Sequence, residues 1–91
     1  MDTETENKQD TARKRAWKAT AKVLFNSGKK VFIKEISGDI YFGEIKIIDE
    51  DSLEIDCFGP PQRAGLKATI YWTLISKITE FKTKEELNGF N

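Results

Sequence analysis

The hydrophobic pattern changes period once along the chain. From Thr11 to about Asn26 the sequence TARKRAWKATAKVLFN is rich in Ala, Lys and Arg, which favour helix. Ala12, Ala16, Ala19 or Thr20, Val23 and Leu24 fall at helical spacing, and Trp17, Ala21, Leu24 and Phe25 extend the stripe. The pattern predicts an amphipathic helix over 11–27, capped by Asp10 or Thr11 and stopped by Gly28. Trp17 shares the apolar stripe and reads as a core anchor rather than a ligand contact.

After Gly28 the period becomes that of strands. Residues 30–36 are β-branched and aromatic, and Ser37-Gly38-Asp39 reads as a turn. Residues 40–48 make a longer strand, with Tyr41, Gly43, Ile45 and Ile47 on one face and Ile40, Phe42, Glu44, Lys46 and Ile48 on the other. A glycine inside a strand, here Gly43, points to a bend or a close backbone approach. Leu53, Ile55 and Cys57 alternate in a third strand; 67–72 and 76–81 supply a fourth and a fifth. Residues 59–65 form the longest loop, in which Gln62 and Arg63 read as plain surface residues rather than as a contact to RNA or a neighbour. One helix followed by five closely spaced strands implies a mainly β domain, a strongly bent five-stranded antiparallel sheet or small barrel. The domain is expected over 11–81, between a disordered acidic tail at 1–10 and a polar C-terminal tail at 82–91.

Composition narrows the chemistry. With 91 residues the chain makes one domain with a modest core, a situation in which oligomerisation is a common remedy. There is no His and a single Cys, so His-based catalysis, an intrachain disulfide and a His or Cys metal site are excluded. Cys57 reads as a small buried hydrophobe rather than a reactive thiol. No apolar run approaches the length of a membrane span, and the N-terminus is unlike a signal peptide, so a cytoplasmic protein is expected. No nucleophile–base pair or phosphate-cradling loop is present; the chain reads as non-catalytic and without a cofactor.

The net charge is zero, but it is distributed in blocks. Residues 1–10 carry four acids and one base, a charge of −3. Residues 11–30 carry seven bases and no acid, +7, and residues 31–91 carry seven bases and eleven acids, −4. The helix bases Arg13, Lys14, Arg15, Lys18 and Lys22 could meet a phosphate backbone, or be a solvated face partly neutralised by the acidic tail. Asp49-Glu50-Asp51 reads as a solvated turn; a metal or acid–base site on the same carboxylates is the competing reading. Trp72 fits either stacking on a nucleobase or packing at a subunit interface.

The order Gly38-Asp39-Ile40-Tyr41-Phe42-Gly43-Glu44-Ile45-Lys46-Ile47-Ile48-Asp49 resembles the first motif of the Sm/LSm family, whose bacterial branch is Hfq. Both glycines, Tyr41, Ile45, Ile48 and Asp49 fall in register. Tyr71-Trp72-Thr73-Leu74-Ile75-Ser76 is similar to the Tyr-Lys-His-Ala-Ile-Ser stretch of the Hfq branch at Tyr71, Ile75 and Ser76. The resemblance covers about residues 11–81. It implies a bent five-stranded barrel under a helix, and a ring of five to seven copies in which the fourth strand of one subunit pairs with the fifth of the next. It also implies single-stranded RNA as partner, with Asp49, Trp72 and Thr73 in the pocket. The chain departs from the family pattern at Leu53, where Asn is usual, at Trp72-Thr73 in place of Lys-His, at Asp51 in place of an aromatic, and at Glu35 in place of an apolar residue. The second Arg-Gly motif is missing. The competing function is a structural or protein-interaction ring without the usual RNA pocket.

Overall fold

The computed structural model describes residues 3–82, with side chains from Thr11 onward. A helix α1 (Thr3–Asn26) precedes five strands: β1 (Lys30–Glu35), β2 (Ile40–Ile48), β3 (Ser52–Gly59), β4 (Lys67–Tyr71) and β5 (Ile75–Glu80). Short 3-10 turns at Pro61–Arg63 and Trp72–Leu74 precede β4 and β5. The strand limits lie within a residue or two of those the alternation predicts. The polar tail expected over 82–91 lies outside the described residues apart from Lys82.

The start of the helix differs. It begins at Thr3, eight residues before Thr11, so the backbone of residues 3–10 is helical where a disordered acidic tail is expected. Glu, Lys and Gln there are tolerant of helix, and no Gly or Pro interrupts propagation from the anchored turns. At the other end Gly28, at φ +66°, supplies the left-handed residue that ends the helix. The amides of Ser27 and Lys29 donate to the carbonyls of Val23 and Leu24, satisfying two terminal acceptors. The buried stripe is narrower than the sequence suggests. Ala21 is fully buried, and Trp17 and Leu24 pack on the core, whereas Val23 and Phe25 are exposed.

The strands form one antiparallel sheet in the order β4-β3-β2-β1-β5. The two edges, β4 and β5, are consecutive in sequence and are joined only by Trp72–Leu74. A flat sheet of five strands would hold its edge strands about 19 Å apart, from four spacings of about 4.8 Å. The chain from Tyr71 to Ile75 reaches at most about 14 Å even when extended. The sheet must therefore curl until its edges approach one another, and the concave face becomes the core. Val31, Ile33, Leu53, Ile55, Ile70 and Trp72 are fully buried there.

Two register shifts in the β2–β3 pair produce the curl locally, between Phe42 and Gly43 and between Ile45 and Ile47. Gly43 lies so close to β3 that a methyl group on it would come within 2.5 Å of the Asp56 carbonyl oxygen. The second shift corrects the expected faces of β2. Ile45 is buried but Ile47 is exposed, and Ile48 packs on the core instead. One extra residue inverts the alternation beyond it.

Candidate nucleic-acid interface

The helix and the β2–β3 turn form a charged cleft of about 440 Å³ lined by Thr11, Lys14, Arg15, Lys18 and Glu50. The turn is closed by the Asp49 amide, which donates to the Ser52 carbonyl at 2.8 Å. Glu50 and Asp51 project toward the helix. Lys14 Nζ lies 3.1 Å from Glu50 Oε1 and 3.3 Å from Asp51 Oδ1, and Lys18 Nζ lies 3.1 Å from Glu50 Oε2. The hydrogen bonds from Lys14 and then Lys18 hold the Glu50 carboxyl below its usual pKa. The same contacts, Glu50 first and then Asp51, raise the Lys14 ammonium.

The expected cationic face is thus divided. Lys14 and Lys18 turn toward the barrel and are occupied by carboxylates. Arg13, Arg15 and Lys22 are exposed and make no ion pair with any described residue. Among the described residues, no group of three or more His, Cys, Asp or Glu side chains could hold a metal ion.

Trp72 is not a stacking platform. It is fully buried within the single chain, which corrects both expected roles, base stacking and packing at a subunit interface. Its indole N–H donates to the Asp49 carbonyl at 3.1 Å, and its amide donates to the Asp51 carbonyl at 3.1 Å. Period-two alternation was the available signal: Ala68, Ile70 and Trp72 share one face, and Tyr71 takes the other. Tyr71 is accordingly 52% exposed and pairs across the sheet with Ser52, beside the acidic turn. Asp49 and Thr73 are both exposed.

A second polar cluster explains Glu35. The Tyr41 hydroxyl donates to Glu35 Oε1 at 2.6 Å. The Arg63 guanidinium lies 4.2 Å from the Tyr41 ring centroid and pairs with Asp39 at 3.5 Å. Burial, with the Glu35 hydrogen bond second, pushes the Tyr41 phenol up to about 12. Arg63 therefore ties the long loop to the β1–β2 turn and is less free than a surface reading implies. Cys57 is buried, as the alternation predicts, and burial raises its thiol pKa, a poor setting for a reactive thiolate.

Both edge strands leave one side of their backbone without a partner strand in the sheet. Exposed apolar residues sit near them: Leu66, Tyr71 and Leu74, with Ile36 bonded through its amide to the Leu74 carbonyl at 2.8 Å. Among the described residues no helix is long and apolar enough to cross a membrane. No protein-family model matches the chain, and no curated protein matches it.

Proposed function

We propose that the chain is an Sm-like subunit that assembles edge to edge into a closed ring of five to seven copies and binds single-stranded RNA without catalysis. One observation carries this reading: a helix-led sheet ordered β4-β3-β2-β1-β5 whose two free edges come from consecutive strands. Free edges are a liability that pairing removes. When different edges meet and the rotation closes, the result is a cyclic oligomer. Symmetry then repeats Arg13, Arg15 and Lys22 around one face, which makes a phosphate-binding rim from a chain of zero net charge. Bases meet Asp49 and Thr73, with Tyr71 as the exposed ring beside the turn. The reading assigns the protein to the cytoplasm.

A second reading, a ring that serves protein interaction alone, is favoured by the ion pairs that occupy Lys14 and Lys18. Native mass and titration with labelled U-rich and A-rich oligonucleotides at two salt concentrations separate the readings. A ring with salt-sensitive binding supports the first. A ring that binds neither oligonucleotide at low salt supports the second, and a monomer at micromolar concentration overturns both.

A further inference from the structure

The convex face of the sheet carries a feature that neither the assembly nor the RNA reading uses. Phe32 and Phe42 stand directly opposite one another on β1 and β2, alternating with the buried residues of those strands. Phe58 on β3 and Phe81 after β5 complete the group. Phe42 lies 5.6, 6.4 and 4.9 Å, between ring centroids, from Phe32, Phe58 and Phe81. Phe58 and Phe81 meet edge to face at 5.1 Å. The result is one apolar patch that crosses β1, β2 and β3 and ends on the residue after β5, with Phe58 41% exposed.

Its charged border is asymmetric. On β1 and β5 the face presents Lys30, Lys34 and Lys77 and no acid, while Glu44, Glu54 and Asp56 stand on β2 and β3. Lys34 and Lys77 face each other directly across the strand pair, a like-charge arrangement that costs stability. Neither makes an ion pair with a described residue. Nucleobases need open ring faces. Here the rings pack against one another, and Lys30 Nζ sits 5.5 Å over Phe58.

We propose that this face docks a short acidic peptide segment of a partner protein, with its apolar side chain on Phe42 and Phe58 and its carboxylates on Lys34 and Lys77. The inference is independent of RNA binding.

The test uses the full chain and three labelled probes: a peptide of repeated Glu-Glu-Leu-Phe, its Lys-Lys-Leu-Phe counterpart, and an oligouridylate. Only the acidic peptide should bind here, more weakly at high salt, with a loss of about tenfold in Phe58→Ser and in the Lys34→Glu/Lys77→Glu double variant. Both changes lie at exposed positions, and circular dichroism verifies the fold. Alanine at Arg13, Arg15 and Lys22 should leave peptide affinity unchanged. Equal binding of the basic peptide overturns the proposal, as does acidic-peptide binding insensitive to both variants. Oligouridylate binding that depends on Phe58 reassigns the face to nucleic acid, and a fall in native mass in Phe58→Ser reassigns it to a second copy. Either result also overturns the proposal.

Discussion

Trp72 and Asp49 are joined by an indole N–H to carbonyl hydrogen bond of 3.1 Å, which pins the start of the acidic turn to the connection between β4 and β5. Trp72→Phe removes the donor and leaves a small void. Its cost should be about 1–3 kcal/mol in urea unfolding, against about 3–5 kcal/mol for Trp72→Ala. Oligonucleotide affinity per folded molecule should be unchanged in Trp72→Phe, because the ring does not reach solvent. A base-stacking tryptophan would give the opposite result.

Gly43→Ala should destabilise by about 1–3 kcal/mol, read by thermal unfolding, because the added methyl meets main chain at Asp56 rather than a side chain that can turn away.

Tyr41 makes stability depend on alkaline pH. Its phenol is raised from 10.0 to about 12 in the folded chain, so the stabilisation is complete below pH 10 and is lost as pH rises from 10 toward 12. Ultraviolet titration should find one phenol ionising near 12, absent in Tyr41→Phe. Glu35→Gln should lower that value only in part, because burial is the larger cause.

Glu50 and Lys14 act in the acid and alkaline limits. The depressed Glu50 carboxyl contributes above its usual 4.5, and that contribution fades as pH falls through the folded-state value. The raised Lys14 ammonium contributes below 10.5 and fades as pH rises beyond it. In carbon-detected NMR titration, Lys14→Met should move Glu50 back toward 4.5. Glu50 is exposed and Lys14 partly so, and added salt should therefore weaken the effect.

Under the proposed RNA reading, the divided helix orders the phenotypes. Alanine at Arg13, Arg15 or Lys22 should each lower the slope of log affinity against log salt by about 1 where the side chain meets a phosphate. Alanine at Lys14 or Lys18 should matter less. Glu50→Gln with Asp51→Asn should tighten binding by releasing both lysines, measured in the same titration.

The strands were legible because half-buried strands write their alternation into the sequence; β2 is recovered residue for residue. The limits of β2 were legible but the facing of its second half was not, because the slip at Ile45/Ile47 exists only in its pairing with β3. The helix start was hidden because residues 3–10 follow backbone propensity without an apolar pattern. At the candidate site the charges were legible, but their partners were not. Lys14 and Glu50 lie far apart in sequence, and the packing of the helix beside the β2–β3 turn brings them within 3.1 Å.

The strand order also sets the sequence of folding events. β1–β2, β2–β3 and β3–β4 are pairings between successive strands and can zip locally, whereas β5 must return to β1 across three intervening strands. Closing so long a loop makes that pairing the late step on the folding pathway, and hydrogen exchange should find it the first to open. The strand last to arrive is also an outer edge. In the proposed ring a neighbouring subunit gripping β5 would hold shut the pairing that opens first, so assembly would slow exchange of the β5 amides.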